Sequence, residues 1–134
     1  MPIAIRNRVG VLPAGKYYVG DPCYVLRDDA RWRAFSDAMD KASDGGLSAC
    51  ILEFEGAQCF CSPTNCGDGV YYDQNGHAYG VDTGQIAVLP EAVAARQGAA
   101  GVFMFWKPFQ VGATPGRWLK NAKTIYIGHM RIKT

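Results

Sequence analysis

The stretch "DGVYYDQNGHAYGVDTGQIAVLP" (residues 68–90) carries strand signals separated by two turn signals. Val70, Tyr71 and Tyr72 are residues that suit a pleated, half-buried surface, as are Tyr79 and Val81. Between them stands Asn75-Gly76, the dipeptide favoured in a type I′ turn because both central residues of that turn take positive φ. The spacing predicts a hairpin over 70–81. Asp82-Thr83-Gly84 reads as the next turn, and "QIAVLP" as a further strand closed by Pro90. Short strands joined by tight turns are the pattern of an antiparallel sheet.

The same reading extends outward in both directions. "ACILEFE" and "AQCFC" precede the hairpin as strands, and "GVFMFW" and the closing "KTIYIGHMRIK" follow it. At the front, "IAIRNRV" alternates Ile3, Ile5 and Val9 with Arg6 and Arg8, the period of a half-buried strand. "LPAGKYYVG" gives a turn at Pro13-Ala14-Gly15 and a short strand that Gly20-Asp21-Pro22 should end, because proline fixes φ and has no amide donor. One segment changes period: Trp32, Phe35, Met39 and Ala42 fall at helical spacing, Asp28 or Asp29 can cap the start, and Gly45-Gly46 stops it. The amphipathic helix is expected at about 28–42. "PEAVAARQG" permits another short helical piece from Pro90 towards Gly98. The expected fold is α+β and mainly antiparallel β: a sheet, sandwich or partly open barrel with one helix packed against it.

The chain has 134 residues, 49% of them hydrophobic, enough for one domain over 1–134 with a core of its own. It has no run of about 18 apolar residues and no basic-then-apolar leader at its start, so a cytoplasmic protein without membrane contact is expected. Five cysteines (Cys23, Cys50, Cys59, Cys61, Cys66) form an odd set, which favours reduced thiols over a disulfide framework. The formal net charge of +2 conceals an asymmetry. Residues 1–91 carry seven Lys or Arg against twelve Asp or Glu, whereas residues 92–134 carry seven cations and no acid. Such a segment either neutralises the acidic part of its own fold or offers a surface to an anion.

Several constellations invite a function. "CFCSPTNC" places Cys59 and Cys61 on one strand face, with Cys66 returning from the loop and His77 or His129 as a fourth metal ligand; the spacing is not that of a paired zinc knuckle, and buried free thiols are the plainer expectation. A calcium loop begun at residue 71 would start on a tyrosine and be flanked by strands, so an EF-hand is rejected. No histidine or carboxylate spacing declares a catalytic pair, and no cofactor is expected. Lys107, Arg117, Lys120 and Lys123 lie near Trp106, Phe109 and Trp118 in sequence, and cations beside aromatics suit a ligand with phosphate and a base. Asp21 and Asp82, with Tyr24, Tyr72 and Tyr79 as walls, would be the members of a pocket if Asp21-Pro22-Cys23-Tyr24 lines one. As a structural turn, the same residues would have Asp21 accepting backbone donors and Tyr24 packing with its hydroxyl at the rim.

Gly20 to Tyr24, Asp68 to Gly76 and Tyr79 to Pro90 together resemble a group of small proteins encoded by bacteriophages and prophages. That group carries a Gly-Asp-Pro-Cys-Tyr element, an aspartate-tyrosine-glycine hairpin and a Tyr-Gly-Val-Asp-Ser/Thr-Gly-x-Ile strand followed by proline. The resemblance implies a viral origin and an accessory role, and it brings no site residue with it. The expected function is binding: sequestration of an anionic nucleotide-like ligand through Asp21, Tyr24, Tyr72, Tyr79, Asp82, Lys107, Arg117, Trp118 and Lys120, or blockade of a host protein. The rival readings are a metal-dependent hydrolase of a phosphorylated small molecule using Asp21, Asp68 or Asp82, and a virion or nucleic-acid contact protein. A homo-oligomer is compatible with each.

Overall fold

The computed structural model describes residues 9–46, 48–94, 107–111, 116–121, 123–128 and 130–134, with the backbone alone for residues 9, 107–111, 116, 117, 119 and 121. In chain order the elements are β1 (Val9–Leu12), β2 (Gly15–Gly20), a 3-10 turn (Pro22–Tyr24), α1 (Asp29–Ala42), β3 (Cys50–Phe54), β4 (Ala57–Pro63), β5 (Gly69–Asp73) and β6 (Ala78–Val81). Then come β7 (Gln85–Pro90), the four-residue α2 (Glu91–Ala94), β8 (Lys107–Val111), β9 (Gly116–Asn121), β10 (Thr124–Ile127) and β11 (Met130–Lys133). They form two antiparallel sheets, one of six strands in the order β1-β9-β10-β11-β5-β6 and one of five in the order β3-β4-β7-β2-β8. Neither closes into a barrel among the described residues, and no described helix is long and apolar enough to cross a membrane.

Strand alternation explains the layering. In β7 every residue from Gln85 to Leu89 is buried, with Ile86 and Val88 on one side and Ala87 and Leu89 on the other. Ile86 and Val88 join Tyr17, Val19 and Phe60 of the same sheet against Trp118, Ile125, Ile127 and Ile132 of the six-stranded one. The two sheets therefore pack face to face, with the Phe60 and Trp118 rings 5.3 Å apart across the gap. Gly10 marks how close they come, since a Cβ there would stand 2.8 Å from Ile51. On the far side of the five-stranded sheet, Cys50, Leu52, Cys59, Cys61, Ala87 and Leu89 meet Phe35 and Met39 of α1. The central strand of that sheet, β7, is buried on both faces, which is why it reads as a nearly continuous apolar run.

The helix forms where its spacing predicts. Asp28 caps it by accepting the Arg31 amide at 3.0 Å, Phe35 and Met39 are its buried stripe, and Trp32 and Ala42 flank them half-buried. Past Ser43 the chain turns left-handed at Asp44 (φ 55°), and the Gly45 amide bonds back to the Asp40 carbonyl at 2.9 Å, a Schellman closure in which aspartate occupies the place glycine usually takes.

Two turns differ from expectation. Asn75-Gly76 sits in a hairpin, but only Gly76 has positive φ. The Gly76 amide donates to the Asp73 carbonyl and Asp73 pairs with His77, so the loop has three residues and not two. The reason is the Asp73 carboxylate, which accepts the amides of Asn75 (2.9 Å) and His77 (3.0 Å) and the Tyr79 hydroxyl (3.0 Å), favouring the open loop over the I′ turn. Positive φ at both central residues occurs instead at Glu55 (53°) and Gly56 (75°) between β3 and β4. Glu55 is held there by a forked pairing with Arg31, whose guanidinium also reaches the Val93 carbonyl at 3.1 Å. The closing run is likewise two strands, folded at Gly128 (φ 59°) so that Ile127 opposes Met130. The expected strand over 3–9 falls on described residues only at Val9, and "GVFMFW", Gly98 and His129 lie outside them.

Candidate functional site

The Gly-Asp-Pro-Cys-Tyr element and the Asp82-Thr83-Gly84 turn are brought together by one carboxylate. Asp21 is fully buried; its Oδ1 accepts the Cys23 amide and the Thr83 hydroxyl, each at 2.9 Å, and its Oδ2 accepts the amides of Asp82 (2.7 Å) and Thr83 (2.8 Å). The chain crosses from the six-stranded to the five-stranded sheet at residues 82–84, between β6 and β7, and Asp21 fastens that crossing to the end of β2. A carboxylate with four donors is a strong local tie. Tyr24 adds a second link by donating its hydroxyl to Asp82, a bond that, together with burial, holds the phenol well above its usual range. Burial, reinforced by Asp21, also holds the Cys23 thiol protonated, the opposite of what a nucleophile needs. The geometry is that of a structural turn with its polar groups satisfied.

The cysteines separate. Cys59 and Cys61 face α1 inside the core, where burial pushes the Cys59 thiol up to about 12 and holds the Cys61 thiol well above its ordinary range. Cys61 Sγ lies 3.4 Å from both Met39 Sδ and Gln85 Oε1. Cys66 is exposed in the loop after β4, with the Thr134 carbonyl 4.0 Å away. Among the described residues no three His, Cys, Asp or Glu side chains gather as a metal site, so neither a cysteine nor an aspartate metal centre takes shape there. Asp68 is exposed, whereas Asp21 is buried.

Strand alternation also divides the cations and rings. Trp118 and Lys120 of β9 both point inward and are buried. The cation expected to face an anion instead lies with its Nζ 2.6 Å from Thr134 Oγ1 and 3.4 Å from the Pro63 carbonyl; burial lowers its pKa to about 8. Tyr79 is buried as well and donates to Asp73. Lys107 and Arg117 enter the sheets opposite Val19 and Val11 respectively. Of the expected ligand residues, Tyr72 is the aromatic that stands well into solvent, 55% exposed.

Around Tyr72 the six-stranded sheet presents a different group. Inward Ile125, Ile127, Met130 and Ile132 leave Thr124, Tyr126, Arg131 and Lys133 on the outer face, and the register sets Lys133 between Tyr72 and Thr124 and Arg131 opposite Tyr126. Gln74 accepts the Arg131 amide at 2.8 Å, tying the 74–76 loop to this edge of the site. Together with Asp73 these six residues line a groove of about 310 Å³. Tyr126, Arg131 and Lys133 were not among the expected residues. Their signal lies in "KTIYIGHMRIK", where aliphatic and polar residues alternate; only the fold at Gly128 aligns the two halves. No family model, curated protein or solved structure matches the chain.

Proposed function

We propose that this chain is a phage or prophage accessory protein that acts by binding, and that it sequesters an anionic, nucleotide-like ligand in the host cytoplasm on the outer face of the six-stranded sheet. The observation that carries this reading is the groove over β5, β11 and β10, where two exposed cations, Arg131 and Lys133, are flanked by the rings of Tyr72 and Tyr126. Its volume is at the lower end of the range for small-molecule sites. Guanidinium and ammonium groups suit phosphate, and a tyrosine on an open sheet offers a base a stacking surface. The Asp73 carboxylate, on a residue that also lines the groove, is engaged by two amides and a hydroxyl, which turns its charge towards the turn. The phage origin rests on the three resembling segments; two of them, Gly20 to Tyr24 and Tyr79 to Pro90, are joined through Asp21.

Titration calorimetry with a panel of mononucleotides, cyclic nucleotides and ADP-ribose is expected to show heat, and Arg131→Gln with Lys133→Gln to abolish it. No heat and no ligand-dependent melting shift across the panel would remove the reading. A second reading, blockade of a host protein, draws on Val11 and Val70, which with Tyr72 are the exposed large hydrophobic side chains among the described residues; all three belong to strands of the same sheet.

A further inference from the structure

Resting on that reading, we infer that the groove takes a phosphate between two bases, a dinucleotide unit, and not a single nucleotide. The inference comes from register. β11 runs between β5 and β10. In one cross-strand row stand Tyr72, Lys133 and Thr124; in the next, two residues along, stand Arg131 and Tyr126, with Gln74 closing the row from the loop. The cations occupy the central strand and the rings lie diagonally on its two sides. With strands about 4.8 Å apart and two residues spanning about 6.7 Å, the two tyrosine Cα atoms are about 12 Å from each other. Side chains stand roughly perpendicular to a sheet, so the rings keep about that spacing, too wide for one base to lie on both. Two bases splayed from a shared phosphate can, each stacking on one ring while the phosphate sits over Arg131 and Lys133.

Among the residues whose side chains are described, the pattern stands on β5, β11 and β10. Across β10, the next strand is β9, whose Leu119 opposes Tyr126; across β5, Tyr72 pairs with Ala78 and Val70 with Gly80 of β6. Small residues beyond Tyr72 leave its ring unobstructed on that side.

The test is calorimetry of the full chain with three probes: adenosine 5′-monophosphate, the linear dinucleoside monophosphate adenylyl-(3′→5′)-adenosine, and cyclic di-adenosine monophosphate. A dinucleotide is expected to bind at one per chain and at least about tenfold more tightly than the mononucleotide, the increment typical of one more stacked base. Which of the two dinucleotides shows that gain tells whether the unit comes from a linear strand or a cyclic ligand. Tyr72→Ala is expected to erase the tenfold advantage and Tyr72→Phe to keep it; because this ring is exposed, neither change should unfold the chain. Equal affinity for the mononucleotide and both dinucleotides would overturn the two-base inference while leaving the anionic site standing. No binding of any probe would overturn both.

Discussion

The two sheets share one apolar interface and differ in what lies on their other faces. The five-stranded sheet turns its second face to α1 and α2, and its central strand β7 is buried on both sides. The six-stranded sheet has no helix across its outer face among the described residues, and there it exposes Val11, Val70, Tyr72, Arg131 and Lys133. The contrast separates scaffold from surface: the covered sheet is specified by packing, whereas residues on the bare face are free of that constraint and available for binding. The turn through Asp21, by contrast, has its polar groups engaged within the fold. Asp21 and Asp82 sit at the end of the sandwich, where the chain changes sheets.

The largest effect should come from the interface the sheets share. Phe60→Ala removes the ring that meets Trp118 and is expected to cost about 4 kcal/mol in urea unfolding, the range for a large aromatic in a close-packed core. A loss below about 1 kcal/mol would mean the sheets are not packed through that ring. Next, Asp21→Asn keeps the size but leaves one of its positions with an amide group facing donors; a loss of about 3 kcal/mol is expected, and a neutral result would break the assignment of Asp21 as the tie between sheets.

Lys120 sharpens the comparison through pH. Its proton is held less tightly in the folded chain, at about 8, than at the ordinary value of 10.5. Between those values the unfolded chain binds more protons, so this group makes stability rise with pH: the burial penalty is fully present below about 8 and gone above about 10.5. Relative to Lys120→Met, the wild type should therefore gain about 3 kcal/mol as pH rises through that window. A constant difference between the two would show that the amine is not buried as a charge-averse group. The smallest effect belongs to the bare face, where Tyr72→Ser should change stability by less than about 0.5 kcal/mol while weakening ligand binding.

What the sequence makes legible follows the range of the interactions. The helix is legible because its cap at Asp28 and its stripe at Phe35 and Met39 are local. The hairpin position is legible and its loop is not, since Asn75-Gly76 favours one turn and the Asp73 carboxylate, through His77 and Tyr79, selects another. Sheet order is hidden because β1 pairs with β9 and β7 lies between β4 and β2, partners far apart in sequence. Of the candidate site only Tyr72 could be picked out in advance: alternation in β9 sends Trp118 and Lys120 into the core, and the residues that gather with Tyr72 meet only through pairing of β5, β11 and β10.

The most direct test of the bare face as the binding surface is amide chemical-shift mapping on the isotope-labelled chain during titration with adenosine 5′-monophosphate and cyclic di-adenosine monophosphate. Expected are saturable shifts concentrated at residues 72–74, 124–126 and 131–133, with the α1 amides unmoved. Shifts centred on the Asp21 and Asp82 turn or on α1, or none at all, would contradict the division between a covered scaffold sheet and an open binding sheet.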